Sequence, residues 1–226
     1  MNHVLKRIVA TFGVWAATGV GAQTVGTWML RAGPIRITPV VTSSCLSAPD
    51  FGDGPGCTRA DVGADTQAGG GVTYMWTDHM AVDVPVAMPF KHPFIGAGSM
   101  EGAGVLGQVQ VLPMTVFVQY RFGQPTDAWR PYVGLGATYV HFFDETGSGT
   151  LTVTTNPGGS PTRFSVDHRW TLTPQFGVTW ALGERWFVDV MYARSNLSTT
   201  THLSTGQHLD ISLDPVTVGV GVGYRF

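Results

Sequence analysis

The chain has 226 residues, 43% of them apolar and 12% charged, with 30 Gly, 14 Pro, 7 Trp, 6 Tyr and 12 Phe. A charged fraction about half the usual ~25% excludes a disordered chain or a coiled coil, and a formal charge of −2 leaves no electrostatic footprint for nucleic acid. No window supplies the ~18 consecutive apolar residues of a spanning helix, so only strands could carry this chain across a membrane.

In chain order, Met1 to Ala22 come first, with Lys6 and Arg7 ahead of an apolar run from Ile8 to Val20 and small or short side chains at Val20-Gly21-Ala22. That is the layout of a secretory signal peptide cleaved before Gln23; the run is short, and broken by Gly and Thr, for an anchor helix. Residues 23–226 then form one domain. From Thr27 onward apolar and polar or small residues alternate with period 2 in eight runs, near 27–37, 67–76, 80–90, 108–122, 131–143, 168–181, 186–195 and 211–226, and no helix competes. The connections alternate in length. Residues 77–79, 123–130 and 182–185 are short turns, whereas 38–66, 91–107, 144–167 and 196–210 are long and rich in Gly, Ser, Thr, Pro and Asp.

Short turns at one end, long loops at the other and both chain ends on the short-turn side predict an all-β fold: an eight-stranded antiparallel transmembrane β-barrel with short periplasmic turns and long extracellular loops. A soluble eight-stranded ligand carrier also alternates, but it points its large apolar face inward. In the last run Val216, Val218, Val220, Val222, Tyr224 and Phe226 oppose Thr217, Gly219, Gly221, Gly223 and Arg225. Glycines make a poor water-facing sheet surface and leave space in a narrow lumen, so the apolar face belongs against lipid. Aromatics gather at run ends, as Tyr74/Trp76, Tyr120/Phe122, Trp180/Trp186 and Tyr224/Phe226 on one side and Tyr139/Phe142/Phe143 with Trp170 on the other, in the manner of two interfacial girdles.

Cys45 and Cys57 share the first long loop, and an oxidising compartment would let them pair; a metal site there has no nearby His partner. On the inward face the alternation places Arg31, Asp83, Gln119, Arg121, Gln175 and Asp189, with Phe117, Phe187 and Met191 among them. An eight-stranded lumen holds side chains or one small ligand, which excludes a general aqueous porin. The ionised groups either line a narrow path or pair across the lumen and plug its periplasmic half, since unpaired buried charge is costly. Pro85, Pro89 and Pro113 remove ladder donors from neighbouring strands at similar heights. They either weaken a lateral seam or end edge pairing where strands rise into loops. In the first case an apolar solute would enter between the loops, meet Phe90, Phe94, Leu112 and Phe117, and leave sideways near Pro89 and Pro113.

Further residues carry a resemblance. Arg31-Ala32-Gly33, Thr73-Tyr74-Met75 with Thr77-Asp78, Pro89-Phe90-Lys91-His92, Leu112-Pro113, Phe122-Gly123, Arg130-Pro131-Tyr132-Val133-Gly134, Phe142-Phe143-Asp144, Leu213-Asp214-Pro215 and the terminal Gly223-Tyr224-Arg225-Phe226 resemble the outer-membrane protein W (OmpW) family, AlkL-like barrels included. Gly221, Tyr224 and Phe226 are similar to the outer-membrane assembly signal. The resemblance implies a Gram-negative outer-membrane location, the assembly machinery and membrane lipids as partners, and passive passage of small hydrophobic molecules with sideways release. The long first loop with its cysteines and Met114, where a second proline is common, depart from the pattern. The alternative is a non-transporting surface receptor or envelope-stabilising barrel acting through its loops. No cofactor or metal is implied, and nucleophile elbows, metalloprotease helices, phosphate loops and Cys-x-x-Cys pairs are missing from the chain, so no enzyme is expected. His202 and His208 read as solvated loop residues.

Overall fold

The computed structural model describes residues 22–47 and 57–226. The leader expected at 1–22 lies outside the described residues but for Ala22. In chain order the strands are β1 (Trp28–Thr38), β2 (Thr42–Ser43), β3 (Thr58–Val62), β4 (Asp65–Met75), β5 (Met80–Ala87), β6 (Phe90–Gly98), β7 (Val105–Arg121), β8 (Trp129–Gly147), β9 (Phe164–Val166), β10 (Arg169–Ala181), β11 (Trp186–Arg194), β12 (Ser198–Leu203), β13 (His208–Ser212) and β14 (Val216–Arg225), with one short helix, α1 (Gly149–Thr155). No helix among the described residues is long and apolar enough to cross a membrane.

Antiparallel pairing closes the sheet on itself. β1 joins β4 and β14, β14 joins β11, β11 joins β10, β10 joins β8, β8 joins β7, and β7 pairs with both β5 and β6 while β5 returns to β4. Counting β5 and β6 as one interrupted strand, eight strands of the described residues form the barrel. Closure removes the sheet edges that neither water nor lipid would tolerate unpaired.

The outer face is apolar over its whole middle: Val118, Val133, Leu135, Leu172, Phe176, Val190, Val218, Val220 and Val222 are all exposed. A water-facing surface does not carry so continuous an apolar band, whereas lipid requires one. Trp28, Trp76, Trp129, Trp180, Trp186 and Phe226 ring the short-turn end, with Trp129 stacked on Trp180 at 4.7 Å, and Tyr139 and Trp170 mark the other rim. Phe142, expected in that outer girdle, instead points inward and is buried, because β8 keeps strict alternation from Arg130 through Phe142. Glycines on the inward face make room for the largest side chains. A Cβ at Gly136 would stand 2.6 Å from the Phe117 ring, and one at Gly223 would stand 2.1 Å from that of Phe187.

Two of the expected runs are broken. Run 80–90 divides at Met88-Pro89 into β5 and β6, and run 211–226 divides at Leu213-Asp214-Pro215, where Asp214 adopts a left-handed φ of 30° and Pro215 has no donor to continue a ladder. The long loops are not irregular. They contribute β3 and β6, which prolong the barrel wall, and a second sheet in the order β2-β13-β12-β9. Helix α1, which the sequence reading did not expect, is started by Ser148, whose hydroxyl accepts from the Leu151 amide at 3.2 Å. The largest core cluster sits between this loop sheet and the upper barrel and includes Phe94, Val111, Phe142, Phe164, Leu203 and Ile211. Cys45 and Cys57 are joined by a disulfide beside it.

Candidate functional site

Four layers follow one another up the lumen. The lowest is polar. Arg31 donates to both oxygens of Asp83 at 2.6 and 2.9 Å and to Thr73 at 3.0 Å, and its Nε lies 3.6 Å from Asp189. Asp189 also accepts from Tyr132 at 3.1 Å and Thr179 at 3.0 Å. Arg121 donates to Gln119, Thr179 and Gln23 at 2.9, 2.9 and 3.0 Å, lying 4.7 Å from the Tyr132 ring centre, and Gln119 donates to Gln175 at 2.8 Å. Arg130 closes the short-turn end by donating to the Gln23 and Asp78 carbonyls at 3.0 and 2.7 Å. Two aspartates face several guanidinium groups across a few ångströms, and all these side chains interlock. The polar groups thus form a plug rather than the lining of a path.

Above the plug runs a belt of hydroxyls, Thr115 to Thr138 at 2.9 Å, Thr138 to Thr173 at 2.7 Å and Thr173 to Ser195 at 2.8 Å. The belt is the floor of the third layer, a cavity of about 100 Å³ walled by Ile35, Phe90, Val111, Phe117, Phe142 and Met191 among others. Phe94 divides it from the fourth layer, a second cavity of about 50 Å³ under the loops that Leu46, Leu151, Phe164 and Leu203 help to line. Phe94 borders both spaces and meets Phe164 edge-on at 5.3 Å.

The wall beside the larger cavity is incomplete. β5 pairs with β7 up to Asp83↔Phe117, and β6 resumes at Phe90↔Val111; between them residues 84–89 have no partner on β7, and 112–116 have none on β5 or β6. The interruption covers about 20 Å of strand at ~3.3 Å per residue. Backbone direction follows from the bonds on either side. The Met88 amide donates to Ala68 on the β4 side, so on this strand even positions face β4 and odd positions face β7; the Arg121 amide donates to His79 and that of Phe122 to Pro131, so on β7 odd positions face β5. Positions 85, 87, 113 and 115 therefore face across the gap, and 85 and 113 are proline; Pro89 stands where the parity changes, since the Lys91 amide beyond it turns to Asp65 on the β4 side. Two of the donors that an open wall would leave unpaired do not exist. Val86 points outward, is 57% exposed, and still borders the cavity, so a single strand separates the cavity from the outer surface at this seam.

The structure thus sorts the residues singled out from the sequence. Arg31, Asp83, Gln119, Arg121, Gln175 and Asp189 meet in the plug; Phe90, Phe94, Phe117, Met191, Pro85 and Pro113 border the cavity, and Pro89 stands at the joint of β5 and β6. Two placements need correction. Leu112 alternates to the outer face and does not line the cavity, because its neighbours Val111 and Pro113 take the inward positions. Phe187 packs with Met29, Met75 and Ala81 at the short-turn end, below the cavity and off any path through it.

Sequence reasoning missed Gln23, Thr73, Arg130, Tyr132 and Thr179 in the plug. Arg130 and Tyr132 share the parity of Gly134 and Gly136, but the run was begun two residues late, at 131, which left Arg130 outside it. It also missed His92, which borders the cavity above the Tyr139–Trp170 rim, is 4% exposed, and holds the Gly63 carbonyl through Nδ1 at 2.7 Å. Burial holds this imidazole below its ordinary titration range, outweighing the Gly63 carbonyl and nearby Asp65.

Comparison with known proteins agrees with this architecture. The model of the OmpW family matches residues 24–226. The outer membrane protein W of Vibrio cholerae is 31% identical over 98% of this chain and 100% of its own, and the outer membrane protein AlkL of Ectopseudomonas oleovorans is 28% identical over 73% of this chain and 68% of its own. Among solved structures, the crystal structure of OprG from Pseudomonas aeruginosa is similar with a TM-score of 0.80 and 27% identity over 92% of this chain and 99% of that one. AlkL in lipid bilayers shares the fold with a TM-score of 0.65. With family, barrel and lipid-facing surface in agreement, the chain belongs to the OmpW family, an outer-membrane barrel with short periplasmic turns and long extracellular loops.

Proposed function

We propose that this barrel passes small apolar molecules from the cell exterior into the bilayer without an energy source. A solute enters beneath the loop sheet, moves past Phe94 and Phe164, occupies the apolar cavity, and leaves sideways between β5 and β7. The plug below favours this direction, because an apolar solute gains nothing by entering a layer of paired ions and amides. The observation that carries the reading is the ladder interruption over residues 84–89 and 112–116, which holds Pro85, Pro89 and Pro113 and lies beside the cavity that Phe90 and Phe117 border. Export with loss of residues 1–22, delivery by the assembly machinery through Gly221, Tyr224 and Phe226, and contact with outer-membrane lipids belong to the same reading.

The test is entry of a graded series of apolar and polar small molecules into vesicles bearing the refolded barrel, against empty vesicles and a plugged eight-stranded control. Faster entry confined to apolar solutes is expected. Continuing the β5–β7 register beyond Asp83↔Phe117 sets Val86 opposite Met114, both facing outward. In a background without the native cysteines, Val86→Cys and Met114→Cys bridged by a short bifunctional thiol reagent should stop the excess entry. Undiminished entry through a fully bridged protein would reject the lateral exit, and no excess entry in the unbridged protein would move the function to the loops.

A further inference from the structure

His92 is a polar group in a place that passage of a pure hydrocarbon does not need. Its ring lies against Phe90, centroids 6.3 Å apart, in the wall of the larger cavity. The hydroxyl belt on the cavity floor is satisfied within itself, Thr115, Thr138, Thr173 and Ser195 each having a partner in the chain of bonds. His92 differs. A carbonyl can only accept, so the bond to Gly63 requires the proton on Nδ1, and the neutral ring then presents Nε2 as an acceptor. Nε2 has no hydrogen-bond partner among the described residues, although the residue is only 4% exposed. A water held there would need two or more polar partners, and Phe90, Phe94 and Val109 beside it offer none.

We infer that this site takes apolar molecules bearing one hydrogen-bond donor, alcohols or phenols, with the hydroxyl given to His92 Nε2 and the hydrocarbon part laid along the Phe90, Val111 and Phe117 walls. The inference rests on the passage reading for the solute's route and adds to it the class of head group. His92 is a specificity-determining residue in this assignment. A hydrophobic pocket alone discriminates poorly between isomers of equal size, whereas a buried acceptor left empty by the wrong isomer discriminates well. The neutral state of the ring is what makes it an acceptor.

The experiment compares 1-hexanol with its isomer dipropyl ether, of the same atoms but no donor, binding to the full barrel in lipid nanodiscs against empty nanodiscs. The barrel carries ¹⁵N-labelled histidine. Hexanol should bind about 3- to 10-fold more tightly than the ether, the range of one net hydrogen bond, and should move the Nε2 resonance of His92 while the ether does not. His92→Leu removes the acceptor and brings no other, so the preference should fall to about onefold with the ether's own affinity retained. Equal binding of the isomers to the wild type, or an Nε2 resonance unmoved by hexanol, overturns the assignment of His92 and leaves the passage reading intact. Binding of neither isomer above empty nanodiscs overturns the cavity as a solute site and the passage reading with it. Should His92→Leu fail to fold, the wild-type isomer ratio and the Nε2 shift still decide.

Discussion

Replacing Pro85 and Pro113 together by Val would return two N–H donors to the seam, one opposite Thr115 and one opposite Ala87. Valine is a strand former, and the register from Asp83↔Phe117 already aligns the segments. If the wall zips, each restored bond adds about 1 kcal/mol net, so the barrel should gain about 2 kcal/mol, and a solute that requires an open seam should exit about 30-fold more slowly. If the cavity props the wall apart, the new donors face hydrocarbon unpaired at several kcal/mol each, and the protein should instead lose stability by more than an ordinary surface substitution does. Urea unfolding in lipid vesicles, followed by tryptophan fluorescence, separates the two cases; solute entry is measured on the same samples. A stabilised variant with undiminished entry refutes the argument, because the ladder would then be closed and the path elsewhere.

Asp83→Ala strips Arg31 of its two shortest bonds and should destabilise the barrel by about 3–5 kcal/mol in the same unfolding assay, largely recovered in Arg31→Met/Asp83→Leu; apolar entry by the recovered variant should be unchanged, since the plug lies below the cavity. Phe94→Ala should admit bulkier apolar solutes while costing about 3–5 kcal/mol in stability, and an unaltered size limit would remove Phe94 from the route. Gly136→Ala places a methyl against the Phe117 ring and should cost about 1–3 kcal/mol, with partial recovery on adding Phe117→Ala; equal cost in both backgrounds would show that the glycine serves something other than that ring.

The barrel was legible because two different surroundings act on alternate residues. In β14, valines meet lipid while Gly219, Gly221 and Gly223 meet the lumen, and that contrast survives in the bare sequence. Membership of the plug was legible for the charged and amide side chains inside the runs; it failed at Arg130, which the run's start at 131 left out, and at Thr73, Tyr132 and Thr179, which lie inside their runs but carry no charge to single them out. The loop sheet was not legible. β12 reads Ser-Thr-Thr-Thr-His-Leu and buries Thr199, Thr201 and Leu203, so its inward face looks as polar as its outward one; a buried threonine carries no hydrophobic signature, whether its hydroxyl donates to a carbonyl, as that of Thr199 does to Asp167, or has no partner among the described residues, as that of Thr201. His92 was hidden differently. A single histidine in a strand shows neither its burial nor which ring nitrogen is occupied until Gly63 is brought beside it from β3–β4.

The prolines were visible in the sequence, but their meaning depends on parity that only the backbone bonds supply. A proline at position 86 or 114 would have withdrawn a donor from an intact ladder, weakening the barrel on the β4 or β8 side without opening anything. At 85 and 113 each withdraws a donor from the same missing ladder, which leaves Ala87 and Thr115 as the positions there that still carry one, while Pro89 stands at the joint where the strand's parity changes. In water such an opening could be hydrated; in hydrocarbon it could not, so the number of donors along it decides whether it can persist. The plug bears on the same balance from below. With the polar groups of the short-turn half engaged with one another, no ion or water file needs to reach the seam, and the cavity behind it can stay apolar up to the point where it meets the lipid. On the proposed reading the lower half is thereby sealed to ions and the wall above it opens to hydrocarbon, through different residues of the same strands.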